Sequence, residues 1–139
     1  MQLNRSTDYA IQMLVHLAKA GKIVSSSKLA ASIGVSHRYL LQISAKLRAA
    51  GFIRVAHGSA GGMILLKPSE EICLYEVIIG MEGIIRTGDI CGIPSDEVSK
   101  EMLMLKNEYR KVDRMLEQSL KEITLARIME ADKNRNFSQ

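Results

Sequence analysis

A mainly α-helical fold carrying one small β-hairpin is predicted by three observations on this 139-residue chain. Apolar residues recur at three- and four-residue steps over residues 3–20, 26–33, 36–50, 74–81 and 95–131, the period of helices with one buried face. Two short β-prone runs, Phe52–Val55 and Ile64–Leu66, flank a glycine-rich tip, which is a hairpin pattern. Gly34 stands between two serine-started helical segments, where a tight inter-helix turn needs a residue of positive φ.

Taken in order, Ser6 or Thr7 is expected to cap a first helix that ends at Gly21 and buries Tyr9, Ala10, Met13, Leu14, Leu17 and Ala18. His16 lies on its flank with no second ligand at metal-site spacing and reads as structural or solvent-facing. Ser25, Ser26 and Ser27 offer capping hydroxyls for a short helix through Ile33 that turns Leu29, Ala30 and Ile33 inward. Gly34 then turns the chain, Val35 plugs the corner, and Ser36 caps a helix that buries Leu40, Ile43, Leu47 and Ala50. Its opposite face presents His37, Arg38, Tyr39, Gln42 and Lys46. Gly51 stops this helix, Phe52, Ile53 and Val55 form one strand, and Ile64, Leu65 and Leu66 form its partner across a tip from His57 to Met63. Two helices around a tight turn, followed by a hairpin, make a winged helix-turn-helix.

Charge gives this unit a direction. Residues 1–69 hold nine lysines and arginines against Asp8 alone, whereas residues 70–139 hold ten against fourteen carboxylates. A surface without carboxylates from Tyr9 to Ser69 suits an approach to phosphates, so double-stranded DNA is the expected partner. Near the N-terminus of a recognition helix, Arg38 suits guanine, Gln42 suits adenine, and Tyr39 also reaches base edges. Ser36, His37 and Lys46 complete that face, with Ser27, Lys28 and Arg5 as flanking contacts. In the wing, Gly58, Gly61 and Gly62 permit close backbone approach, and His57 stands where a cation enters a narrowed minor groove. The glycine-rich tip has neither the spacing nor the Lys-Ser/Thr ending of a nucleotide-phosphate loop.

Beyond Pro68, Leu74–Met81 read as a packing helix, and a glycine-bearing passage holding Cys91 runs to Pro94. A long helix is expected from Ser95, with Ser95, Asp96 and Glu97 at its positive end. Val98, Met102, Leu105, Tyr109, Val112 and Leu116 alternate four- and three-residue steps, a coiled-coil seam. A helix on the order of 40 Å long cannot bury such a seam on so small a domain, so a homodimer is inferred. Leu120, Ile123, Leu125, Ile128 and Met129 continue the apolar pattern and are expected to pack back on the first helix. The expected division is a winged domain over 1–82, a flexible loop over 83–94, a dimerisation helix region over 95–131 and a frayed tail over 132–139.

No apolar run is long enough to cross a bilayer, no leader opens the chain, and Cys73 and Cys91 make no disulfide framework. A cytoplasmic protein is expected. No paired carboxylates or nucleophile–base spacing assigns enzyme chemistry. The other readings to be weighed are a winged-helix module that binds an acidic protein, and a redox- or metal-sensing regulator using Cys91, near which Arg86 is the only cation that would favour a thiolate.

The chain also resembles a known family. The opening MQLNRSTDYA through Ala10, VSHRYLLQI over Val35–Ile43, LRAAGFI over Leu47–Ile53, the Gly58–Gly62 wing and the ITLA of Ile123–Ala126 are together similar to the Rrf-two family of bacterial winged-helix transcriptional regulators. The resemblance implies dimerisation through the long helix, near-palindromic operators, and base contacts from Ser36, Arg38, Tyr39 and Gln42. Leu41 stands where the family often has Glu, and His57 and Met63 replace a wing Arg and Tyr. Cluster-bearing members carry three cysteines in a short loop where this chain has only Cys91. Asp8 matches a residue that can ligate the cluster in one branch, but one thiolate and one carboxylate do not hold it. The resemblance is therefore to the clusterless branch: no cofactor and no metal ligands are expected, Cys91 reads as a buried or idle thiol with a redox sensor as the alternative, and the effector, a small molecule or a protein, is unspecified.

Overall fold

A computed structural model describes residues 2–85 and 87–137. Six helices and one hairpin follow in order: α1 (Arg5–Ala20), α2 (Ser26–Ile33), α3 (His37–Ala49), β1 (Ile53–Ala56), β2 (Gly62–Leu65), α4 (Leu74–Glu82), α5 (Lys100–Glu122) and α6 (Leu125–Phe137). Single 3-10 turns occupy Ser69–Glu71, Asp89–Gly92 and Ser95–Glu97. The predicted fold class, mainly α with a small hairpin, is the one observed.

The core is aliphatic. Met13, Leu14 and Leu17 of α1, Leu29 of α2, Leu40, Ile43 and Leu47 of α3, and Ile53 and Met63 of the hairpin are almost wholly excluded from solvent. Burial on this scale contributes about 1.5–3 kcal/mol per large side chain. The buried face of α3 takes in Ser44, whose hydroxyl donates to Leu41 O at 2.9 Å, while Ala50, expected inside, is exposed.

Several expected boundaries move. The first helix starts at Arg5 with Asn4 at its cap; neither Ser6 nor Thr7 caps it, and Thr7 is buried inside the helix instead. The amide of Asn4 is satisfied from a distance, donating to Glu82 Oε1 at the end of α4 at 3.1 Å. The second strand is Gly62–Leu65, so Gly62 and Met63 leave the tip, and Leu66 falls outside the strand, half exposed.

The long helix starts at Lys100, not Ser95. Ser95–Glu97 is a separate turn, Val98 is extended, and the Ser99 hydroxyl caps α5 by accepting from the Met102 amide at 3.2 Å. Lys106 of α5, only 3% exposed, ties that preceding turn to the helix, its ammonium donating back to Ile93 O and Ser95 Oγ. The apolar pattern beyond it is two helices rather than one. The chain breaks at Ile123–Thr124, where Leu74 N donates to Ile123 O at 2.8 Å and Leu125 N to Ile72 O at 2.9 Å. α6 then packs on α1, as expected of its apolar residues, with Leu125 fully buried and Ile128 against the core. The stretch predicted as a frayed tail is helical from Asp132 to Phe137, and Asp132 pairs with Lys19 at 3.1 Å. Met1, Arg86 and the last two residues of that predicted tail lie outside the described residues. Among the described residues, no helix is long and apolar enough to cross a membrane.

Candidate nucleic-acid interface

The turn between α2 and α3 is built as the sequence requires. Ser25 Oγ accepts from the Lys28 amide at 3.2 Å to start α2, so Ser25 is the cap while Ser27 and Lys28 remain exposed. Gly34 adopts φ +74° at the C-terminus of α2, and Ser36 Oγ accepts from the Tyr39 amide at 3.1 Å to start α3. At the far end, Gly51 N donates to Arg48 O and Phe52 N to Leu47 O, both at 3.0 Å, with Gly51 at φ +84°. This paired bonding is a Schellman closure, which needs the left-handed residue that glycine supplies.

Between these ends α3 exposes His37, Arg38, Gln42 and Lys46. Tyr39 is only half exposed, its ring set edge-on to Tyr9 of α1 with centroids 5.8 Å apart. His37 Nε2 lies 2.7 Å from Ser26 Oγ, so one ring fastens the start of α3 to the start of α2. This link was not legible in the sequence, because an exposed histidine and a second serine eleven residues apart carry no local pattern.

The wing is anchored to the helices by backbone. β1 and β2 pair antiparallel with Ile53 opposite Leu65 and Ala56 opposite Gly62, and Val24 bridges Met63 through bonds of 3.0 and 2.8 Å. The strand passes so close that a Cβ on Gly62 would meet Val24 O at 2.1 Å, and one on Gly61 would meet Ala56 O at 2.3 Å. These two glycines are therefore required by the chain's own packing. Gly58, at φ +101° in the exposed tip, is required by conformation.

One cleft of about 420 Å³ gathers the start of α2, the first turns of α3 and the wing, bringing His37, Leu41, His57, Gly58, Gly61 and Gly62 together. Arg38, Gln42 and Lys46 lie on the same helix outside it, and Arg5 borders a different hollow with Asn4 and Asp8. Of the nine cations in residues 1–69, Lys19 alone forms an ion pair among the described residues. The other eight are uncommitted and available to phosphates.

The predicted seam divides on α5. Met102, Leu105 and Val112 are exposed, joined by Met104 and Met115, which the seven-residue pattern omitted. Tyr109 and Leu116 are half-buried, and Tyr109 packs against Gly88 of the chain's own loop. That loop is fastened to α5 again where Asp113 Oδ1 accepts from the Thr87 amide at 2.7 Å. Cys91 sits half-buried in the Asp89–Gly92 turn, and Cys73 half-buried before α4. Among the described residues, no three His, Cys, Asp or Glu side chains converge as metal ligands.

A helix-turn-helix with an anchored wing and an acid-free recognition face defines a DNA-binding regulator of the winged-helix class. Residues 3–131 match the family model Rrf2, described as "Iron-dependent Transcriptional regulator"; the chain belongs to this Rrf-two family of transcriptional regulators. It is 35% identical over 79 residues to protein aau3 of Rhizobium meliloti, an alignment covering 56% of this chain and 51% of that protein, so the match spans about half of that relative's length. Among solved structures it is similar to IscR of T. potens, with a TM-score of 0.74 at 27% identity over 95% of this chain and 88% of the other. It also superposes on CymR (YrzC), the global cysteine regulator of B. subtilis, with a TM-score of 0.76 at 21% identity over 94% and 98% of the two chains, a likeness of fold.

Proposed function

We propose that this chain is a homodimeric, sequence-specific DNA-binding repressor that works in the cytoplasm without an iron–sulfur cluster and answers to an effector or protein partner. The observation that carries the reading is the exposed face of α3, bearing Arg38, Gln42 and Lys46 in a half of the sequence, residues 1–69, whose only carboxylate is Asp8. Side chains at the start of a helix lying in the major groove reach base edges, while surrounding cations and backbone amides hold phosphates. The wing, held by Val24, stands beside that helix, which supports reading His57 as a contact to the neighbouring groove.

Dimerisation is supported by the exposed apolar row on α5. Val112 is 48% and Met115 71% exposed, and such a row in water favours a second copy. A two-fold dimer places its half-sites about one helical turn apart, on the order of 34 Å. Bound at a promoter, it excludes the transcription machinery.

The clusterless part rests on donors. Iron–sulfur clusters are held by about four thiolates or their imidazole replacements, and this chain has two cysteines, on separate elements. The residues present do not fit a cluster, and Cys91 remains the candidate sensor thiol. Selection of duplexes from a random pool, followed by gel shifts in rising salt, tests the DNA reading. The expected result is an enriched near-palindrome whose affinity falls steeply with salt; no enrichment, or capture of an acidic protein instead, favours the interaction-module reading.

A further inference from the structure

We infer that Leu41 is a specificity-determining residue that reads the 5-methyl group of thymine in the major groove, with Ala45 continuing the same apolar strip. The inference rests on the DNA-binding reading above and deepens it. Arg38, Leu41, Gln42 and Ala45 stand at the i, i+3, i+4 and i+7 positions of one helix surface, and all four are exposed. Half of the face turned to a nucleic acid is thus hydrocarbon. Leu41 is 43% exposed and is the only exposed large apolar residue described on α3. It borders the cleft between helix and wing rather than the core.

A leucine left in water at the centre of a binding face gains by meeting carbon on the partner. In the major groove of unmodified DNA the one hydrocarbon group on a base edge is the thymine methyl; the other groups there are hydrogen-bond donors and acceptors, which Leu41 cannot answer. Its neighbours Arg38 and Gln42 supply the polar reading on either side. The strip therefore converts one position of each half-site from hydrogen-bond readout to methyl readout, and symmetry repeats it in the other half.

The test uses the full chain and its selected duplex, with each thymine replaced singly by uracil, which keeps every donor and acceptor but removes the methyl. At one thymine per half-site, uracil should weaken wild-type binding by about fourfold, the value of one buried carbon group. Leu41→Ala should bind the thymine duplex more weakly by at least that factor, show equal affinity for thymine and uracil there, and keep the wild-type salt dependence. A wild-type protein indifferent to uracil at every position, or a Leu41→Ala protein still sensitive at the same thymine, overturns the inference while leaving DNA binding intact. Failure to enrich any duplex overturns both. The uracil series needs no protein variant, so a misfolded substitution cannot obscure the result.

Discussion

Ser36 shows how one side chain is divided between fold and function. Its hydroxyl accepts the Tyr39 amide, so Ser36→Ala should lower unfolding free energy by about 1 kcal/mol, read as a reduced midpoint in urea, before any effect on DNA is considered. Arg38 and Lys46 separate differently, since both are exposed and neither is committed to an ion pair within the described residues. Arg38→Ala should relax base preference at one position by about 1–3 kcal/mol, whereas Lys46→Ala should weaken all duplexes alike and lower the salt slope by about one; competition binding against single-base operator variants distinguishes them. Gly62→Ala should destabilise the fold by at least about 2 kcal/mol, because its Cβ has no space beside Val24 O, and thermal unfolding measures this without DNA. The Ser25 and Ser36 caps and the turn glycines Gly34 and Gly51 were legible in the sequence because their bonds close within a few residues, whereas the caps of α1 and α5 fall on Asn4 and Ser99 rather than on Ser6, Thr7 or Ser95. The His37–Ser26 link, the Tyr9–Tyr39 ring contact and the Glu82 carboxylate at the start of α1 were not, because each joins residues that only the fold brings together.

At the scale of elements, α1 to α4 were legible because each shows a helical stripe bounded by a cap, a glycine or a turn. The α5–α6 break was not: apolar spacing runs unbroken through Ile123, and the chain turns there because Ile72 and Leu74 take up its backbone groups. The start of α5 was misplaced because Ser95 is followed directly by Asp96 and Glu97, the stronger local cap signal, whereas the cap is Ser99, followed by Lys100, and Lys106 of α5 reaches back to Ile93. α4 and α5 are also joined by charge. Lys121 pairs with Glu117 at 2.8 Å and stands 5.0 Å from the Tyr75 ring centre. The hydrogen bond from Lys121 holds the Glu117 carboxyl below its usual range and raises the Lys121 ammonium in turn. A carboxyl lowered on folding gives stability that is complete above the ordinary carboxylate range and is lost as pH falls through the lowered value. Glu117→Gln should therefore flatten that part of the acid unfolding curve, by a small amount because the pair is exposed. On the outer face of the same helix, Leu105→Glu should convert a dimer to single chains at micromolar concentration, seen by sedimentation, with little change in helix content.

For the whole molecule, charge and hydropathy divide the work. The basic end carries the recognition helix and wing, the acidic end carries the row of exposed methionines and aliphatics on α5, and α6 returns from the second to brace α1 of the first. The most direct measurement of this account is a stoichiometric titration of the selected near-palindromic duplex with the full chain at two salt concentrations. Two chains per duplex, with affinity falling at least a hundredfold between roughly 50 and 200 mM salt, is the predicted result; one chain per duplex, or binding that does not change with salt, would contradict it.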